Sequence, residues 1–264
     1  SWPERFPSHL NPALPGVILE GGELGYALST SFGAVLDNPG LIAACIVGDG
    51  EAETGPTAGA WHSTKFLNPA TDGAVLPILH LNGFKIANPT IFGTMTDEEL
   101  KALFTGYGYT PHIVTHGTGD IHAGLGRAME TAYKAIRALQ DSARKGKTPE
   151  RPQWPMLILR TPKGLSGPRE IDGKMIEGSF RSHQVPGKEL KTNKTHLKSV
   201  EQWLRSYKPW ELFDKNGRPE EDILALCPGG ESRIAMNPQS FGGRRRKPLI
   251  LPPLDEHWVK MKGR

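Results

Sequence analysis

Leu41-Ile-Ala-Ala-Cys-Ile-Val47 runs straight into Gly48-Asp49-Gly50-Glu51, and this change from apolar residues to glycine and carboxylate decides the fold. A short apolar, partly β-branched run that stops at glycines reads as a buried strand of a parallel sheet ending in a tight turn, with a helix to follow. Open α/β sheets bind ligands at that edge, beyond the carboxyl ends of their strands. Glycines let the backbone approach a diphosphate and offer it N–H groups, whereas the Asp49 carboxylate between them repels the same ligand. A bridging divalent cation removes the conflict. Its second ligand has to come from the end of a neighbouring strand, and Leu76-Pro-Ile-Leu-His-Leu81 ends at Asn82-Gly83-Phe84 in the same manner. Asp49 and Asn82 are one strand–helix–strand step apart.

Gly-Asp-Gly alone is weak evidence, because Asp-Gly is a common turn dipeptide. A strand before it, a second strand further on and an asparagine at that strand's end make the combination specific. The pairing resembles the diphosphate and magnesium motif of thiamine diphosphate enzymes. The fuller wording, GDGEAETGPTAGAWHSTKFLNP from Gly48 and HLNGFKIANPT from His80, is similar to phosphoketolase. That family cleaves a ketose phosphate with inorganic phosphate, giving acetyl phosphate and an aldose phosphate. The resemblance implies that Asp49, Asn82 and the Phe84 carbonyl ligate Mg2+, with Gly50 and Glu51 beside the diphosphate. GGELGY, from Gly21 to Tyr26, resembles a cofactor-contacting segment and adds Gly21 and Gly22.

Length and composition bound the remaining possibilities. A chain of 264 residues buries a full core and suits one large domain or two small ones. With 37% hydrophobic and 23% charged residues it has the balance of an ordinary soluble protein. The longest apolar runs, Leu41 to Val47 and Met156 to Leu159, fall far short of the ~20 residues a spanning helix needs. The start, Ser1-Trp-Pro-Glu-Arg-Phe-Pro7, has neither an initiator Met nor the pattern of a secretory signal, so the chain is expected to begin inside a longer protein. Cys45 and Cys227 form no metal or redox pattern and suit a reducing compartment, the cytoplasm. The net charge of +4 concentrates at Arg244-Arg-Arg-Lys247, a run without interleaved aromatics that reads as a solvated loop rather than a nucleic-acid site. A small basic surplus helps attract a phosphorylated substrate.

In chain order, Pro3, Pro7, Pro12 and Pro15 preclude regular structure at the start. A helix follows Gly25 as far as Leu36, and a second is expected from Thr57 to Phe66. Thr96-Asp-Glu-Glu99 is a capping box, starting a helix that runs to about Phe104 and is ended by Gly106. A third strand is expected at Tyr109 to Thr115 despite Pro111. Asp120 caps the longest helix, whose Leu125, Ala128, Met129, Ala132, Ile136 and Leu139 form one apolar stripe facing the core. A fourth strand follows at Met156 to Arg160. Strands alternating with helices predict an α/β fold, a parallel sheet with helices on both faces.

Beyond Arg160 a long irregular loop is expected as far as Gly187, at the same edge as the Asp49 turn. TPKGLSGP (Thr161 to Pro168) and RSHQVP (Arg181 to Pro186) resemble phosphoketolase segments whose lysine and histidine face the thiazolium and the substrate, which implies catalytic roles for Lys163 and His183. The family's usual TPKGWTGP has Leu165 and Ser166 here, a change in loop packing that leaves Lys163 in place. His62 and His80 read as structural, and the spacing of His112, His116 and His122 fits no closed metal site. A further helix is expected from Thr195 to Tyr207, with Leu197, Val200 and Leu204 on one face.

The resemblance implies that residues 1–187 are the thiamine diphosphate and magnesium domain, incomplete at its N-terminus. Residues 188–264 then form a helical and irregular linker towards a pyrimidine-binding domain, which with its activating glutamate has no counterpart between Ser1 and Arg264. It also implies a homo-oligomer, dimeric or larger, for the complete enzyme, with a ketose phosphate and inorganic phosphate as partners and neither nucleic acid nor membrane. Expressed alone, the chain is expected not to turn over; turnover would point to a different domain boundary or to another activating carboxylate, Glu23 or Glu53. Two other readings stay open at this point: another thiamine enzyme, of transketolase or oxo-acid decarboxylase type, and a module that binds cofactor or partner without turnover. TPKG and RSHQVP favour phosphoketolase.

Overall fold

The computed structural model describes residues 9–12, 14–19, 23–147, 151–184, 186–187, 189–240 and 250. Gly21, Gly22 and Arg244 to Lys247, singled out in the sequence, lie outside the described residues. The chain divides into two units, Glu23–Leu226 and Ser1–Gly22 with Cys227–Arg264. In the second, the described residues form short 3-10 turns at Gly230–Ser232, Ile234–Met236 and Pro238–Ser240.

The unit Glu23–Leu226 is built on a four-stranded parallel sheet. Helix α1 (Ala27–Val35) leads to β1 (Ile42–Gly48), followed by the short helices α2 (Asp49–Ala52) and α3 (Gly55–Ala60). Strand β2 (Ala74–Leu81), helices α4 (Ile91–Thr94) and α5 (Asp97–Tyr107), strand β3 (Tyr109–Thr115), helix α6 (Ile121–Arg144) and strand β4 (Trp154–Arg160) complete it. The strand order is β1-β2-β4-β3, and all four expected strands are present.

Every residue from Ala74 to Leu79 is buried, and since side chains alternate between faces, β2 is covered on both. Pro77 sits in this inner strand without cost because pairing with β4 begins only at Ile78. Pro111 is tolerated because β3 is an edge strand. On β1, Cys45 and Val47 are buried while Ile46, facing the other way, is exposed. Buried groups from Leu28 on α1 to Ile136 on α6 join the sheet in one core. Trp61, one of its two tryptophans, stands edge-on to Phe104 and Tyr109 with centroids 4.9 and 5.9 Å away. The Trp61 Nε1–H donates to the Ala52 carbonyl at 2.9 Å, so the aromatic cluster anchors the end of the helix that begins at Asp49.

Several elements differ in detail from the sequence reading. The helix expected from Thr57 to Phe66 is α3 followed by a 3-10 turn, Trp61–Phe66. The capping box at Thr96 and Glu99 is formed, with both reciprocal bonds, but α5 passes through Gly106 and ends at Gly108, whose φ of 101° is the left-handed conformation a helix terminus uses. Asp120 caps α6 as expected, accepting from the N–H groups of His122 and Ala123. Ala128, Ala132 and Ile136 of its stripe are buried, whereas Met129 stands at the margin and Gln140 goes inside, donating to the Asp72 carbonyl.

The segment expected to be irregular contains a hairpin, β5 (Glu170–Ile171) and β6 (Lys174–Met175), turned by Asp172 and Gly173 with φ of 51° and 69°. Positive φ at both central residues is the two-residue turn that matches strand twist. After it, α7 (Lys194–Ser206) is capped by Asn193 and buries His196 and Val200, while Leu197 and Leu204 remain half exposed. The expected face of three apolar residues is therefore not the packed one. His196 Nε2 pairs with the Asp172 carboxylate at 2.5 Å, which joins the helix to the hairpin turn.

Candidate functional site

The register of β1 on β2 sets Gly48 opposite His80, so both strands stop at the same edge. Asp49, the first residue of α2, is only 1% exposed. Its Oδ1 accepts from the Gly50 N–H at 2.9 Å; its Oδ2 accepts from the Gly83 N–H at 2.6 Å and from the Thr90 hydroxyl at 3.1 Å. A buried carboxylate needs such partners, and two of the three come from the loop after β2.

That loop closes on itself. The Thr90 N–H donates to the Gly83 carbonyl at 3.0 Å, the Lys85 N–H donates to the Asn88 carbonyl at 2.7 Å, and Phe84 bridges Pro89. Gly83 has a φ of 87°, and a side chain on Gly93 would collide with its Cα at 2.6 Å, so both positions require glycine. Asn82 Oδ1 accepts from the Phe84 N–H at 3.1 Å. The carboxylate of Asp49 and the amide of Asn82 are thus presented by one connected pair of loops.

Lys163 reaches the same place from the end of β4. Its Nζ donates to the Phe84 carbonyl at 2.9 Å. Burial pushes its pKa down from 10.5 while the Asp49 charge pulls it back up. The Lys163 carbonyl accepts from the Gly178 N–H at 2.7 Å, and a Cβ on Gly164 would lie 2.5 Å from that of Ser182. The segment preceding His183 therefore packs on the lysine's own backbone. Asn82, Lys163, His80, Thr161 and His122 line one cleft of about 410 Å3, in which His80 Nε2 and the Thr161 hydroxyl are 2.9 Å apart.

Of the residues singled out in the sequence, Asp49, Gly50, Asn82, Phe84 and Lys163 come together at this edge. Glu51 is on α2 beside them, and its Oε1 accepts from the Gly25 N–H at 2.9 Å. His183 lines a different hollow, with Gln184, Gly187 and Leu190. Sequence reasoning missed Thr90 and Lys85, and saw Glu53 only as a substitute activator. The signal for Thr90 was its place before a helix, which it caps by accepting from the Gly93 N–H at 3.0 Å.

Among the described residues no three His, Cys, Asp or Glu side chains gather in a metal-binding group. A cation here would rest on one carboxylate, one amide oxygen and one peptide oxygen, an all-oxygen set that suits a hard ion retaining water and phosphate ligands. The Lys163 ammonium already lies against that peptide oxygen. A carbonyl has two lone pairs and accommodates both. The donor set therefore fits Mg2+ with a diphosphate.

Fold and site together define an α/β domain that presents an acidic turn, an asparagine and a lysine at one sheet edge. The family model of the XFP N-terminal domain matches residues 1–245, and the chain belongs to that family. It is 53% identical over 267 residues to a probable phosphoketolase of Rhodopseudomonas palustris (strain TIE-1), covering 100% of this chain and 34% of the relative. To a probable phosphoketolase of Rhodopirellula baltica it is 54% identical over 266 residues, covering 100% and 33%. The chain spans about a third of the length of these curated relatives. Among solved structures, a transketolase mutant from Pichia stipitis aligns with a TM-score of 0.41 at 15% identity, over 74% of this chain and 30% of that one. A Campylobacter jejuni transketolase gives 0.38 at 16%, over 80% and 33%.

Proposed function

We propose that this chain is the diphosphate- and magnesium-holding part of a phosphoketolase, which cleaves a ketose phosphate with inorganic phosphate to acetyl phosphate and an aldose phosphate. The observation that carries the reading is the Asp49–Gly83 hydrogen bond, which joins the acidic turn to the Asn82 loop beside Lys163. Support comes from the identity, above half along the whole chain, to proteins named as probable phosphoketolases. Asp49, Asn82 and the Phe84 carbonyl hold Mg2+, with Gly50 and Glu51 beside the diphosphate. When bound, thiamine diphosphate supplies the nucleophilic carbon and electron sink for cleavage next to a ketose carbonyl.

The chain's own groups orient and protonate. Lys163 brings positive charge, and a proton held less tightly than by a free lysine, to a place where oxyanions develop. His183 is the second proton donor that the resemblance implies, although its side chain lines a separate hollow from the Asn82–Lys163 cleft. Residues 1–187 carry these groups, and 188–264 lead on towards a pyrimidine-binding domain in a cytoplasmic homo-oligomer. Among the described residues no helix is long and apolar enough to cross a membrane, and both cysteines are free.

The experiment is an assay of the complete polypeptide with a ketose phosphate, phosphate, thiamine diphosphate and Mg2+, read as acetyl phosphate trapped by hydroxylamine. Phosphate-dependent acetyl phosphate that falls at least about 100-fold in Lys163→Met is expected. Cleavage without phosphate, or none at all, contradicts the reading.

A further inference from the structure

Glu53 closes α2, and its side chain is 2% exposed. Its Oε2 accepts from the Phe92 N–H at 3.1 Å, and its Oε1 lies 2.6 Å from Lys85 Nζ. Lys85 belongs to the loop after β2, between Phe84 and the turn at Asn88, and its Cγ lies 3.2 Å from where a side chain on Gly50 would begin. The lysine stem therefore covers the backbone of the acidic turn while its head is held by a carboxylate of the same short helix.

Two ties thus run in parallel from the Asp49 helix to the loop that carries Asn82. One is the Asp49 carboxylate itself, on Gly83 and Thr90. A metal ligand engaged in that tie has to keep its geometry when a cation draws on its oxygens. The second tie takes nothing from those oxygens. We propose that Glu53 and Lys85 are positioning residues, an ion pair between a buried carboxylate and a partly exposed lysine that fixes the separation of the Asp49 turn and the Asn82–Phe84 loop and so presets the Mg2+–diphosphate site. The inference rests on the phosphoketolase reading above. Neither residue touches the reacting atoms; both act through the loops they hold, as outer groups around a metal site do.

The test measures thiamine diphosphate affinity by calorimetry in the complete polypeptide at a series of Mg2+ concentrations, with melting temperatures taken without cofactor. Glu53→Gln keeps an acceptor for the Phe92 N–H but loses the charge; Lys85→Arg keeps the charge. Because loss of the lysine alone would leave the buried Glu53 carboxylate uncompensated, the double variant Glu53→Gln/Lys85→Met is measured too. The Glu53→Gln and double variants are expected to need about 10- to 100-fold more Mg2+ for the same cofactor affinity, with Lys85→Arg close to the parent. The melting temperature of the double variant should stay near that of the parent. Unchanged Mg2+ dependence in both, with Asp49→Asn abolishing binding, overturns this inference and leaves the phosphoketolase reading standing. Asp49→Asn binding cofactor normally overturns both. Melting temperatures that fall in every variant, with affinity following them, make the pair a structural tie alone and also overturn it.

Discussion

The Lys163 ammonium donates to the Phe84 carbonyl at 2.9 Å, tying the exit of β4 to the loop after β2. Burial disfavours the charged lysine, and Asp49 only partly offsets this, so the folded pKa lies below 10.5.

The sign of the consequence follows from proton binding. Between the lower folded pKa and the unfolded one, the unfolded chain holds more protons, so Lys163 makes stability rise with pH across that window; below it, the group subtracts from stability. Asp49→Asn removes the charge that holds the ammonium and lowers the Lys163 pKa further. Methyl resonances of reductively methylated lysines, followed against pH, give the value directly. Titration of Lys163 at or above 10.5, or an upward move in Asp49→Asn, contradicts the geometry.

Gly73→Ala will destabilise the unit Glu23–Leu226 by about 1–3 kcal/mol. An added Cβ would lie 2.4 Å from the Leu41 carbonyl oxygen and 2.7 Å from that of Asn38. Both are backbone atoms of the connection between α1 and β1, and the Gly73 N–H already donates to the Val35 carbonyl, so no rotamer change relieves the overlap. Urea unfolding midpoints check this, and a midpoint equal to the parent's would show that the β1–β2 entry is looser than described.

Cys227 is exposed, while Cys45 is 4% exposed with its thiol pKa pushed up by burial. An excess of thiol reagent at neutral pH is expected to label Cys227 quickly and Cys45 only after unfolding, since the thiolate is the reactive form. Equal labelling rates in the native protein would contradict the burial of β1 against α1.

The sheet was legible because its strands are short apolar runs bounded by glycine, asparagine or proline, and because burial on both sides of β2 leaves no polar alternation to misread. The Asp49–Asn82 pairing was legible for the same reason, each residue being the first after a strand. Other features depended on partners distant in sequence. Gly106 gave way to Gly108 as the end of α5 because the Thr64 hydroxyl and Lys65 Nζ both donate to the Tyr107 carbonyl, each at 3.0 Å, satisfying the last turn from another element. Nothing local marks Glu53 as the carboxylate that meets Lys85. The Asp172–Gly173 hairpin is different: Asp-Gly between Ile171 and Lys174 is a recognisable turn signal, passed over because its strands have two residues each.

The central claim is that the Asp49 charge holds a divalent cation for a diphosphate, and Asp49→Asn tests it most directly. The amide oxygen can still accept from the Gly83 N–H, so the loop tie is largely kept while the charge is lost. Calorimetry of the complete polypeptide with thiamine diphosphate in saturating Mg2+ is expected to show binding weakened by more than about 100-fold, beyond what changes in outer groups cost, with circular dichroism unchanged. Parent-like affinity in a folded Asp49→Asn protein would contradict the account.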